Sequence, residues 1–239
     1  MTTALITGAA KRLGKEIAQR LASRGINIMI HYNSSQQEAE TFKNELSERY
    51  PSQNFEIIKA NLSNPAEFMD LIMKTKNKFP DLNILVNSAS IFEDDRFREV
   101  SIEQYNNILT TNLTAPFFLC QQFANSVSEG LIVNFLDSRI VKNKTDYFTY
   151  SLFKKTLKDL TIMLAKELAP KIRVNAIAPG AILPSPGKTW DAISYLLPTI
   201  PLQQWGSVED IVKAMEFFLD NPYITGQIIY VDGGQHIDS

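Results

Sequence analysis

One cysteine, Cys120, stands in the 239 residues, so no intrachain disulfide can form and a reducing compartment suits the chain. A buried place on its helix is expected for that thiol rather than a reactive one. No apolar run approaches the roughly 18 residues of a membrane span. No basic-then-apolar leader precedes the first apolar run, and a cytoplasmic protein is the expectation. Charge of neither sign is in excess: the formal net charge is −2, which argues against a general polyanion binder. Neither nucleic acid nor a membrane is therefore an expected partner, and no metal site is expected. Repeats, low-complexity tracts and domain linkers are lacking too. Hydrophobic residues make up 44% of the chain, enough for a sizeable core, and one domain spanning 1–239 is expected.

What is there alternates strand with helix. TALIT (3–7) is a short apolar run closed by Gly8, and Ile17, Ala18, Leu21 and Ala22 then recur at helical spacing until Gly25. Further strands are expected at 26–32, 55–60, 82–87, 131–136, 172–178 and 226–234, and helices at 35–50, 65–78, 114–127, 148–168 and 208–220. This alternation implies parallel pairing through right-handed crossovers. The expected fold is α/β: a Rossmann-type doubly wound sheet of about seven parallel strands with helices on both faces. One stretch is irregular, GAILPSPGKTWDAISYLLPTIPLQQWG (180–206), which holds both tryptophans. A substrate loop or lid over about 181–206 is expected there, with a merely packed surface excursion as the alternative.

Ligands of such sheets bind beyond the carboxyl ends of the strands. The first strand-to-helix turn, ITGAAKRLG (6–14), offers the free N–H groups and positive dipole end of a helix to a pyrophosphate. Gly8 permits the turn and Gly14 permits close helix packing, but a third glycine is lacking, and Arg12 stands in its expected place. An acid is also lacking at the end of the second strand, which reads His31, Tyr32, Asn33, Ser34, Ser35. With Lys11 and Arg12 close in sequence, these donors favour a 2′-phosphate, hence NADP(H). An ordinary polar strand exit is the alternative.

YSLFK places Tyr150 and Lys154 four apart at the start of a long helix, on one face, with Lys155 about 100° away by helix geometry. An ammonium beside a phenol is expected to lower its pKa and make Tyr150 a usable acid. Taken alone the spacing is common and often marks a solvated helix face.

Together TGAAKRLG (7–14), LVNSAS (85–90), Asn112, the Tyr150–Lys154 pair, IRVNAIAPG (172–180) and ITGQIIYVDGG (224–234) resemble the short-chain dehydrogenase/reductase family, over residues 3 to about 235. The resemblance implies that Tyr150 gives or takes a proton, that Lys154 binds the nicotinamide ribose, and that Asn112 supports a proton-relaying water. It further assigns Leu13, Asn61, Leu62, Asn87, Ser88, Ala89, Pro179, Gly180 and Ile182 to the cofactor, Asn61 towards adenine and Ile182 through its backbone alone. The family's usual Ser thirteen residues before the Tyr is here Asp137; Ser138 follows one register off and would face the other way on a strand. Asp137, Arg12, HYNSS (31–35), NSASIF (87–92) and TAPFFL (114–119) resemble the pteridine reductases and dihydromonapterin reductases.

That branch implies that Arg12 serves cofactor phosphate and bound pterin together, that Phe92 stacks on the pterin, and that Ser90 hydrogen-bonds in the site. It also implies a homotetramer built partly on the 101–127 and 148–168 helices. Some pteridine reductases carry Arg at the position of Ser34, so NADPH affinity is expected to lean on Arg12 and His31. The tail QHIDS (235–239) lacks an arginine that some relatives donate across a subunit interface.

The favoured expectation is NADPH-dependent reduction of a dihydropterin of the dihydromonapterin, dihydrobiopterin or dihydrofolate type. The enzyme alternative is reduction of a ketone or 3-oxoacyl thioester. A non-catalytic NADP-binding regulator is the alternative of another class, against which intact Asp137, Tyr150 and Lys154 argue. Asp137 separates the first two: an ionised carboxylate repels a developing oxyanion, whereas a carboxyl can assist protonation of an imine nitrogen. Arg139, Lys142 and Lys144, between the fifth strand and the catalytic helix, are candidates to steer an anionic substrate tail, with a solvated loop as the plainer alternative.

Overall fold

The protein is described by a computed structural model covering residues 2–185 and 187–237. Pro186 of the expected lid, and Asp238 and Ser239 of the tail, lie outside the described residues. Seven parallel strands form one sheet: β1 (Thr3–Ile6), β2 (Asn27–Tyr32), β3 (Phe55–Lys59), β4 (Leu82–Asn87), β5 (Gly130–Phe135), β6 (Ile172–Pro179) and β7 (Ile228–Val231). Their order is β3-β2-β1-β4-β5-β6-β7, so the winding reverses between β1 and β4. Ile6 lies beside Ile30 on one side and Val86 on the other, which aligns the carboxyl ends of β1, β2 and β4 around one crevice.

Each strand feeds two cores because successive side chains point to opposite faces. Ala4 and Ile6 of β1, with Ile28 and Ile30 of β2, pack with α1 (Arg12–Ser23), α2 (Gln36–Arg49) and α8 (Val208–Asp220). Leu5 and Met29 pack on the other face, with α3 (Pro65–Phe68), α4 (Leu71–Lys78) and α6 (Ala115–Ser126). Burying one such aliphatic side chain contributes about 1.5–3 kcal/mol. Strands covered on both faces therefore read as continuous apolar runs.

Three elements differ from expectation. The helix expected over 65–78 is two pieces: Met69 closes the first with helical dihedrals, Asp70 breaks the line at φ −112° and ψ 6°, and Asn64 caps the first piece through Ala66 N–H. The helix expected over 114–127 has a partner before it, α5 (Ile102–Leu109), joined by a wide π-turn at Thr110–Thr114. Pro116 has no N–H to offer the carbonyl of Asn112, which disfavours a regular α-turn there. The last strand is shorter than 226–234, because Asp232 leaves the ladder to accept hydrogen bonds from Gly234 and His236 N–H. The long helix α7 runs Phe148–Glu167.

Candidate active site

At the crevice, Gly8 takes φ 69° where the chain leaves β1, and a Cβ there would lie 3.1 Å from Ala89 Cα. A Cβ on Gly14 would run into the carbonyl of Gly8, so α1 sits directly on the loop. Lys11 caps α1 without a side-chain hydrogen bond, leaving the first-turn N–H groups without side-chain satisfaction. Thr7 Oγ1 accepts from Ser88 and Ala89 N–H at 2.9 and 3.0 Å and ties the loop to the end of β4. This cradle fits a dinucleotide pyrophosphate. Arg12 adopts φ 55°, in the left-handed region, and its guanidinium crosses the crevice to donate to Pro184 O at 2.7 Å. A glycine is expected at Arg12 because that position needs positive φ.

A cavity of about 550 Å³ runs from this loop to the start of α7. At its inner wall Tyr150 Oη donates to Asp137 Oδ2 at 2.9 Å, and Asp137 Oδ1 accepts from Arg139 N–H at 2.8 Å. Lys154 Nζ donates to Phe135 O at 2.6 Å. Tyr150 and Lys154 are buried and Asp137 is partly so, and burial raises the Asp137 pKa above its usual value. Burial, followed by the Asp137 charge and hydrogen bond, holds the Tyr150 phenol well above 10. Lys154 is pushed down to about 8 by burial, partly countered by Asp137.

Phe92 borders this wall, 37% exposed. Its ring stacks on Tyr147 at 4.1 Å and 8°, and Tyr150 meets it edge-on at 4.7 Å and 79°. Asn112 is fully buried; its Oδ1 accepts from Ile91 N–H at 2.8 Å and Ser90 Oγ at 3.2 Å, and its Nδ2 donates to Ile91 O at 2.8 Å.

The family described as Enoyl-(Acyl carrier protein) reductase matches residues 8–236. The chain belongs to the short-chain dehydrogenase/reductases. Among curated relatives of these oxidoreductases, the 3-oxoacyl-[acyl-carrier-protein] reductase FabG of Staphylococcus epidermidis is 30% identical, over 98% of this chain and 99% of its own. A 3-oxoacyl-[acyl-carrier-protein] reductase of Synechocystis is 31% identical, over 97% of this chain and 95% of its own. Among solved structures, FolM Alternative dihydrofolate reductase 1 from Brucella canis, complexed with NADP, superposes with a TM-score of 0.93 at 33% identity, covering 99% of this chain and 94% of that one. A blue fluorescent protein from a metagenomic library, in complex with NADPH, superposes at 0.91 and 27% identity, covering 98% and 97%.

Several residues expected at the site of this short-chain reductase sit elsewhere or act otherwise. His31 is 1% exposed, with Nδ1 accepting from Gly8 N–H at 3.1 Å and Nε2 at 3.0 Å from Ala60 O. It is a buried strut holding the loop, not a phosphate donor, and burial pushes its pKa down to about 4. Tyr32 is buried in β2 beside it, whereas Asn33 and Ser34 are exposed at the strand exit and Ser35 begins α2. Lys11 pairs with Glu38. Asn61 Oδ1 is taken by Ser63 N–H and Oγ, and Leu62 is buried in the core. Asn87 is buried too, its Nδ2 reaching Asn134 Oδ1 at 2.9 Å and Cys120 Sγ at 3.4 Å. Ile182 donates its N–H to Gly180 O at 3.0 Å, so even its backbone donor is engaged. Asn112 fixes the 90–91 backbone with its amide. The lowered Tyr150 pKa expected from Lys154 gives way to a raised one, because burial and Asp137 outweigh the lowering by the Arg139 charge and the Ser90 hydrogen bond. Ser138 lies beyond β5 in a 3₁₀ turn (Ser138–Val141) capped by Asp137, so strand alternation does not place it.

Leu13, Gly14, Ser88, Ala89, Ser90, Pro179, Gly180 and Ile182 do line the cavity. Sequence reading passed over Tyr147, Lys188 and Asp95. Tyr147 lies three residues before Tyr150, and an N-cap aromatic in the left-handed region, φ 51°, carries no spacing signal. Asp95 is buried against Thr149, accepting from its N–H at 3.2 Å and from its hydroxyl. Cys120 is buried, its thiol pushed up to about 12.

Proposed function

We propose that the chain is an NADPH-dependent reductase of dihydropterins, giving the tetrahydro form. When bound, NADPH supplies the hydride. The open first turn of α1 holds its pyrophosphate, and the exit of β2 at Asn33 and Ser34, where the strand end itself carries no acid and Glu38 is paired with Lys11, admits the 2′-phosphate. The NADP and NADPH present in the similar solved structures support that choice of cofactor. Lys154, anchored on Phe135 O, lies beneath Tyr150 to hold the nicotinamide ribose. Arg12 reaches over the crevice towards both ligands.

The observation that carries the reading is the part-buried Asp137–Tyr150 hydrogen bond. Burial raises the Asp137 pKa, which favours the protonated carboxyl, and a ring nitrogen beside it would receive that proton as hydride arrives at the adjoining carbon. The carboxylate left on Asp137 keeps the hydrogen bonds from the Tyr150 hydroxyl and Arg139 N–H, which stabilise its charge. Phe92 and Tyr147 supply a flat apolar wall for a bicyclic ring. Leu183, Ile193, Tyr195 and Leu196, from the expected substrate loop, contribute to the cavity lining and support a substrate site there. The apolar side chains exposed on α5–α7, Ile102, Phe117, Leu152, Ile162 and Met163 among them, support a homotetramer.

Reduction of a 3-oxoacyl thioester is the second reading, favoured by the 3-oxoacyl reductases among the relatives. NADPH oxidation, assayed against 7,8-dihydropterins and acetoacetyl thioesters, separates the two. A higher kcat/KM for the dihydropterin is expected; the reverse order overturns the proposal. Asp137→Ser is expected to lower dihydropterin turnover about 10²-fold, as for loss of a positioned acid. Thioester reduction is expected to hold or improve.

A further inference from the structure

Among the described residues, seven cationic side chains and a single carboxylate, Asp137, line a cavity in a chain of net charge −2. Lys11, Arg12 and Lys154 belong to its cofactor end. Arg139, Lys142, Lys144 and Lys188 lie away from the glycine loop, on the 138–147 segment and on the 181–206 stretch. These two segments meet at Tyr147: the Arg139 guanidinium stands 4.9 Å over its ring, and Lys188 Nζ donates to its Oη at 3.4 Å. Arg139 is matched by Asp146 at 2.8 Å. Lys144 and Lys188 are both exposed, and neither makes an ion pair among the described residues. Asp146 is the carboxylate that feels Lys144, and Arg139 already holds it.

Gathering like charges at one mouth raises the local potential and attracts an anion. The dinucleotide cannot supply that anion, because its phosphates belong at the first turn of α1. The Tyr147–Phe92 stack marks the plane of a flat ring, and Lys188 reaches the outer edge of that stack. We infer that Lys144 and Lys188 form an anion subsite for the far end of the substrate's side chain. The preferred substrate is then a dihydropterin whose 6-substituent ends in a negative group, whether glutamyl carboxylates or a phosphate ester. The pterin ring in this statement rests on the function proposed above; the anion subsite rests on the cations.

The test compares kcat/KM at low salt for 7,8-dihydrofolate, a phosphate ester of 7,8-dihydroneopterin, and uncharged 7,8-dihydrobiopterin. An advantage of about tenfold for one or both anionic substrates is expected, carried by KM and shrinking in high salt. The larger of the two advantages tells carboxylate from phosphate. Lys144→Ala and Lys188→Ala are each expected to cut the advantage about twofold to fivefold, the range of exposed ion pairs, with Lys188→Arg restoring it. Equal kcat/KM for charged and uncharged tails, unaltered by either substitution, overturns the subsite. Equilibrium binding of folate and biopterin to the NADP⁺ complex keeps the two claims apart. Tighter folate binding that depends on Lys188, without turnover of any dihydropterin, upholds the subsite and refutes the proposed reaction. Equal binding with brisk turnover does the opposite, and binding of neither refutes both.

Discussion

Arg12 and His31 show how one residue's backbone or burial sets its part in the site. Arg12 holds φ 55°, which costs a non-glycine residue about 1 kcal/mol, and in return its guanidinium spans the crevice. Arg12→Gly is therefore expected to leave folding stability equal or up to about 1 kcal/mol higher, while weakening NADPH binding. Denaturant titration alongside cofactor titration checks both halves, and unchanged cofactor affinity refutes the role given to the side chain. His31 must stay neutral, because protonating Nδ1 removes the acceptor for Gly8 N–H. Its folded pKa, about 4, lies below the unfolded 6.5, so its contribution is present above pH 6.5 and is lost as pH falls towards 4. Between pH 7 and 5 that loss amounts to about 2 kcal/mol. Urea denaturation of the parent protein and of His31→Gln at the two pH values measures it, and the variant is expected to show the smaller pH dependence.

At the scale of the element, α7 carries both Tyr150 and Lys154, and its N-terminus is held from outside. The loop after β4 reaches across 54 residues of sequence: Asp95 accepts from Thr149 N–H and hydroxyl, and Asp94 accepts from Tyr147 N–H at 3.2 Å. A carboxylate there satisfies orphan donors and opposes the helix dipole. The same loop carries Ser90 and Phe92, so the cap also registers substrate wall against catalytic helix. Asp95→Ala is expected to cost about 1–2 kcal/mol, as for loss of a strong N-cap. It should also lower kcat several-fold while the KM for NADPH stays near its parent value, since the glycine loop is untouched. Thermal melts and steady-state kinetics read the two effects, and an equal rise in both KM values argues against positioning.

For the whole molecule, cofactor binding and folding are linked because the cradle exists only when β1, β4 and α1 are assembled. A ligand at 100 times its Kd stabilises by about 2.7 kcal/mol, which raises Tm by roughly 5–11 °C in a domain of this size. NADPH is expected to produce that rise at a concentration where NADH produces little. Equal shifts from the two cofactors at matched concentration contradict the reading of the acid-free exit of β2.

Much of the scaffold was legible in the chain. Apolar runs named the strands, since a sheet covered on both faces needs no alternation, and glycines marked the turn that the cofactor needs. The four-residue spacing of Tyr150 and Lys154 put them on one helix face, and both are buried there. Local pattern could not tell that His31 faces inward, because an imidazole at a strand end serves equally as ligand or strut until its neighbours are known. Nor could it give the direction of the Tyr150 pKa, which follows from desolvation and Asp137, not from the spacing to Lys154. Tyr147, Asp95 and Lys188 joined the site through contacts 41 to 54 residues apart in sequence. Periodicity reports what a residue does within its own helix or strand; burial and charge balance at the crevice exist only once distant segments have met.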